Sequence, residues 1–63
     1  MEKAIQAFRE KLQLWRNLIE WEKEPRVKDF FRAEACGALH LLEEIFPSYS
    51  KEFQEIYTSY GFQ

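Results

Sequence analysis

Hydrophobic side chains recur at three- and four-residue steps along the first third of the chain. This spacing places side chains on one face of an α-helix and predicts a first helix over about residues 2–23. One apolar row contains Ile5, Phe8, Leu12, Trp15 and Ile19, and a second row beside it contains Ala7, Leu14, Leu18 and Trp21. The two rows cover about 200° of the helix, at ~100° per residue, whereas contact with one core needs little more than ~100°. We therefore expect this helix to have two apolar neighbours, of which the second is either the third helix or another subunit.

Two prolines, Pro25 and Pro47, divide the rest of the chain. A second helix is predicted over about residues 26–46, with Pro25 at or just before its first turn, where a missing N–H costs nothing. Its long apolar face contains Val27, Phe30, Phe31, Ala38, Leu41, Leu42 and Ile45, and its opposite side contains Ala33, Cys36, Gly37 and His40. Gly37 costs ~1 kcal/mol relative to alanine in mid-helix, which is explained either by close approach of another backbone or by simple tolerance.

A short third helix is predicted over about residues 51–60, where Phe53, Ile56, Tyr57 and Tyr60 form an apolar stripe. Ser50 is a candidate N-cap, and Gly61 suits the left-handed position after the last turn. Ten residues are marginal as an isolated helix, so this helix must dock on the first two.

The pattern predicts an all-α fold: an antiparallel hairpin of helices 1 and 2 with a short third helix, in a single domain of residues 1–63. A rival interpretation has Pro25 kink one long helix. An interior proline costs ~3 kcal/mol, which favours the hairpin.

Size and composition favour self-association. A 63-residue chain rarely gains more than ~3–5 kcal/mol from its own core, and a single cysteine excludes an intrachain disulfide. The chain nevertheless carries two tryptophans, three tyrosines and six phenylalanines. We expect a homo-oligomer, with a dimer favoured because two-fold assemblies are the commonest. The lone thiol and the absence of an apolar signal or membrane segment favour a cytoplasmic location.

Three groups of residues are candidates for a protein interface. They are the second row of helix 1 (Leu14, Leu18, Trp21), the small-residue side of helix 2 (Cys36, Gly37, His40) and the C-terminal aromatic residues (Tyr49, Tyr60, Phe62). Small residues permit close packing, and aromatic residues are enriched at interfaces.

Lys11 and Glu34 each fall between apolar positions of their helices. They are candidates for a buried polar contact that fixes helix register or partner choice, as such groups do in some coiled coils. The alternative is that Glu34 lies at the rim and reaches water.

The candidate chemistry is sparse, so we expect neither catalysis nor a cofactor. Cys36 and His40 lie one helical turn apart, but a structural zinc site needs four ligands, so we expect no metal within one chain. A site shared across a dimer axis stays open. The sequence therefore predicts a small non-enzymatic interaction module that acts stoichiometrically as a regulator or inhibitor of a protein partner.

The alternative function is a small nucleic-acid-associated regulator. Arg9, Arg16 and Lys23 recur every seven residues, and with Lys28 and Arg32 they form a basic edge. Acidic residues are interspersed, and the net charge of the chain is −2, so nucleic acid is the less favoured partner. The same acidic residues disfavour binding to a membrane surface.

Overall fold

The computed structural model describes residues 1–62 and contains three α-helices and no strand within that range. Helix α1 spans Glu2–Trp21, α2 spans Pro25–Ile45 and α3 spans Ser50–Ser59, and a short 3₁₀ turn over Pro47–Tyr49 precedes α3. The all-α class predicted from the hydrophobic period is confirmed. Gln63, the last residue of the predicted domain, lies outside the described residues.

The link between α1 and α2 consists of Glu22, Lys23 and Glu24. Glu22 (ψ 139°) and Glu24 (ψ 117°) have extended backbones, as expected for Glu24 because proline disfavours the helical region in the residue before it. The Glu22 carboxylate accepts hydrogen bonds from the backbone N–H groups of Lys23 (3.0 Å) and Glu24 (3.1 Å). Pro25 then occupies the first turn of α2. The chain thus forms two separate helices here, not one kinked helix.

The first two helices lie beside each other. Ala7 of α1 lines one depression with Leu41 of α2, and Ile19 lines another with Arg32.

The buried core lies where the three helices meet. Phe53 of α3 and Leu12 of α1 are fully buried. The Phe53 ring is edge-on to Phe8, with 5.7 Å between centroids, and is tilted against Phe46 at 6.4 Å. Aromatic pairs favour such geometries, so Phe53 anchors α3 to α1 and to Phe46, the residue that follows α2. The whole buried set is Phe8, Leu12, Ile19, Ala35, Leu39, Phe53, Ile56, Tyr57 and Phe62.

A polar contact also holds α3 on α2. The Ser50 hydroxyl and the Gln54 amide (2.7 Å) both donate hydrogen bonds to the Glu43 carboxylate. Ser50 is the first residue of α3 and Tyr49 is its N-cap, so the prediction that Ser50 caps the helix is wrong. Its hydroxyl bonds across to α2 instead. These two hydrogen bonds stabilise the ionised carboxylate and lower the pKa of Glu43.

The lowered pKa predicts acid sensitivity of the α2–α3 contact. A depressed native pKa contributes stability above the unfolded value of about 4.5, and that stability is lost as the pH falls through the native pKa. Glu43→Gln, whose amide oxygen can still accept both bonds, should reduce the fall in the urea midpoint between neutral pH and about pH 3. The matched variant is Glu44→Gln, at the exposed neighbouring position. If the urea midpoint falls equally in the Glu43 variant and the wild type, Glu43 does not cause the acid sensitivity.

Gly61 ends α3 in the left-handed conformation that the sequence predicts, with φ +87°. The Phe62 N–H then bonds to the Tyr57 carbonyl oxygen at 3.3 Å. This turn carries Phe62 back over Tyr57, where the two rings stack with centroids 5.3 Å apart.

Two glycine substitutions should have opposite effects on unfolding. Gly61→Ala forces a side chain into the left-handed region and should cost about 1–2 kcal/mol. Gly37→Ala meets no atom within 4 Å and should stabilise α2 by about 0.5–1 kcal/mol. Urea unfolding of both variants measures the two effects, and a neutral Gly61→Ala would contradict the assigned turn.

Candidate protein-interaction surface

Helix α3 covers one side of the α1–α2 pair and leaves the other side uncovered. On the covered side, Tyr57 and Phe62 line a depression together with Ile19 of α1 and Cys36 of α2. On the other side, a depression between α1 and α2 is lined by residues of those two helices alone. We call this side the open face. Its residues are Ala4, Ala7, Lys11, Leu14, Leu18 and Trp21 of α1 and Phe30, Phe31, Glu34, Ala38, Leu41 and Ile45 of α2.

The α1 part of the open face is the second apolar row of the sequence. Leu14 and Trp21 follow Ala7 at steps of seven residues, which is close to two full turns, so they continue the side of the helix that lines the depression. Leu14 is 48% exposed and Trp21 is 83% exposed, while Leu18 is half-buried. The large side chains of the second row are thus only partly covered within the chain.

The α2 part of the open face contains three large residues that the sequence analysis assigned to no interface. Phe30 is 60% exposed, and Leu41 and Ile45 are each 56% exposed. They belong to the long apolar face of α2, whereas the residues that the structure buries in this helix are Ala35 and Leu39. The feature of the sequence that indicated their exposure is the width of this apolar face, which, like that of α1, exceeds what contact with one core requires.

Lys11 and Glu34 lie within the open face and are exposed, and no charged side chain is buried among residues 1–62. The predicted buried contact between them does not occur within the single chain, because α3 packs on the opposite side and leaves both residues facing solvent. Lys11 lies ten residues before the end of α1, and Glu34 lies nine residues after the start of α2. Each residue therefore lies near the midpoint of its own helix.

Comparison of the chain with protein-family models, curated proteins and solved structures finds no match. In the described part of the chain, no helix combines the length and the apolar character that crossing a membrane requires.

On the small-residue side of α2, only Gly37 borders the open face, since it follows Phe30 by seven residues and precedes Leu41 by four. Cys36 is partly buried against the core, and burial together with this cysteine raises the pKa of Tyr57. The Cys36 sulfur lies 4.0 Å from the ring nitrogens of His40, which is exposed. Gly37 faces open space, so no neighbouring backbone within the chain explains it. Residues 1–62 contain no group of three His, Cys, Asp or Glu side chains that could hold one metal ion together.

The C-terminal aromatic residues contribute mainly to the fold of the single chain. Phe62 was predicted to contact a partner, but it is buried against Tyr57. Phe62 is buried because the left-handed turn at Gly61 directs its ring inward. Tyr49 and Tyr60 are half-buried and pack against the same core, so only part of each ring is available to another protein.

The basic residues of α1 and α2 lie close to acidic residues. Arg16 pairs with Glu20 at 3.3 Å, and Arg32 pairs with Asp29 at 3.1 Å. Arg9 lines a depression together with Glu52 and Glu55 of α3. All of these groups are exposed or border solvent, so each pair contributes little to stability, but the acidic partners dilute the positive potential along the predicted basic edge.

Proposed function

We propose that this protein is a small non-enzymatic interaction module that self-associates as a dimer. In this proposal, α1 and α2 form an antiparallel hairpin and the open face of that hairpin is the contact surface. The observation that carries the proposal is the exposure of Leu14, Trp21, Phe30, Leu41 and Ile45 on the side of the α1–α2 pair that α3 leaves uncovered.

The physical support is the cost of leaving these side chains in water. Burial of one large apolar side chain contributes roughly 1.5–3 kcal/mol, whereas a core of this size supplies only ~3–5 kcal/mol in total. Monomeric proteins rarely expose large contiguous apolar patches, and such patches mark interaction sites. Covering these side chains together therefore provides an apolar driving force for association, which acts against the loss of translational and rotational freedom.

We further propose that the assembled protein acts stoichiometrically on a protein target, as a regulator or inhibitor. His40 of α2 lies outside the open face and is exposed, so it would remain available to a target after self-association. The cytoplasm is the proposed location, since Cys36 has no possible disulfide partner within the chain.

Concentration-dependent thermal unfolding tests the self-association. A second copy that binds only the folded chain stabilises it by mass action, so the unfolding midpoint should rise as the protein concentration is raised a hundredfold. A midpoint that stays constant over that range would contradict the proposal. Phe30→Ser should remove most of the rise, whereas Thr58→Ser, at an exposed position of α3, should leave it unchanged.

A further inference from the structure

The open face contains one charge of each sign, and their positions select one arrangement of the second copy. We propose that the dimer axis runs parallel to α1 and α2, so that the Lys11 ammonium of each subunit pairs with Glu34 of the partner subunit. This inference rests on the proposed self-association and adds its geometry: a four-helix bundle in which all neighbouring helices are antiparallel.

In the antiparallel hairpin, the two charges lie at nearly the same height along the helices. Lys11 and Glu34 lie ten and nine residues from the link, on α1 and α2 respectively. A two-fold axis parallel to the helices preserves height and places α1 opposite α2 of the second copy. Each Lys11 then meets a glutamate at its own level, and the same contact forms twice, as isologous symmetry requires.

The other face-to-face arrangement brings like charges together. An axis perpendicular to the helices, lying in the contact plane, places α1 opposite α1 of the second copy with heights inverted about the axis. Because Lys11 lies at the midpoint of α1, a centred contact would set the two Lys11 side chains against each other, and the two Glu34 side chains likewise. Juxtaposed like charges disfavour an interface.

The apolar surroundings of Lys11 and Glu34 raise the cost of leaving either charge unpaired in the interface. Lys11 is flanked by Ala7 and Leu14 along its helix, and Glu34 is followed by Ala38 and Leu41. Neither residue has an ion-pair partner within residues 1–62. Contact between two open faces would remove both charges from much of their water, and a desolvated charge without a partner is costly. Opposite charges at one height satisfy each other and penalise other registers.

Charge reversal tests the pairing. Lys11→Glu and Glu34→Lys should each weaken the homodimer by at least about tenfold in Kd, because each variant places like charges in both contacts. Mixing the two variants should give a heterodimer within about threefold of the wild-type Kd, since both contacts then join opposite charges. Native mass spectrometry with one chain labelled with nitrogen-15 distinguishes the heterodimer from both homodimers.

A charge reversal outside the open face serves as the control for the variants of Lys11 and Glu34. Lys51→Glu reverses an exposed lysine of α3, outside the open face, and should leave the Kd unchanged, while circular dichroism verifies that every variant is helical. Preferential pairing of Lys11→Glu with the wild-type chain would establish the perpendicular axis and overturn the proposal. A wild-type dimer whose Kd responds to neither reversal would overturn the pairing alone. A wild-type chain that stays monomeric, or that associates only with a different protein, would overturn the self-association together with the pairing.

Discussion

Leu14→Glu and Leu41→Glu are each expected to convert the dimer into a monomer that keeps its helices. Both side chains are about half exposed in the single chain, so a carboxylate at either position remains hydrated in the monomer. In the dimer the same carboxylate would be buried without a partner, which is far more costly than the loss of one leucine contact. We expect the Kd to rise by at least about a thousandfold, which is ~4 kcal/mol. Light scattering gives the mass, and far-ultraviolet circular dichroism gives the helical content.

Gln13→Glu is the matched control, because it adds the same charge to α1 at an exposed position outside the open face. It should leave the dimer intact. If Leu14→Glu or Leu41→Glu unfolds the chain, that position belongs to the core of the single chain. If both variants remain dimeric, the interface lies elsewhere on the molecule.

Phe53→Ala should have the largest effect on folding. Its ring is fully buried and contacts Phe8 and Phe46, and truncation of such a phenylalanine typically costs ~3–5 kcal/mol. This is comparable with the whole stability of a core of this size, ~3–5 kcal/mol. The variant should therefore be largely unfolded at low protein concentration, as measured by its helical circular dichroism and its urea midpoint.

Phe30→Ala makes the same truncation at an exposed residue. Measured at low concentration, where association does not contribute, it should change stability by only about 0.5 kcal/mol. At high concentration it should weaken the dimer. Equal losses for Phe53→Ala and Phe30→Ala at low concentration would contradict the division between the core and the open face.

The helices could be predicted, with limits within one or two residues of those observed, because their signals are local. A three- and four-residue hydrophobic period defines a helix wherever it occurs, and Pro25 restricts the backbone at its own position and at Glu24. Gly61 was assigned its left-handed conformation for the same reason, since glycine adopts positive φ without steric cost. None of these features depends on what the rest of the chain does.

The division of the apolar residues between core and surface depends on where α3 docks, and periodicity does not contain that information. Leu39 and Leu41 lie two residues apart on the wide apolar side of α2, yet Leu39 is buried and Leu41 is exposed. Phe62 is buried because one turn reverses the chain after α3. The Ser50 hydroxyl finds its acceptor at Glu43, on another helix. Each of these outcomes requires a tertiary contact.

Lys11 and Glu34 illustrate both what the sequence predicts and what it leaves undecided. Their positions among apolar residues marked them as unusual, and the structure places them together on one face of the α1–α2 pair. Both are exposed in the single chain, which agrees with the alternative that Glu34 reaches water. The sequence could not decide between the two interpretations, because it does not say which apolar side of α1 the chain itself covers.

The most direct test of self-association is the solution mass of the wild-type protein, measured by light scattering behind a sizing column over a range of concentrations. We expect a species of twice the 7.7 kDa chain mass that dissociates on dilution. A constant mass of 7.7 kDa at every concentration would contradict the proposal that the open face binds a second copy.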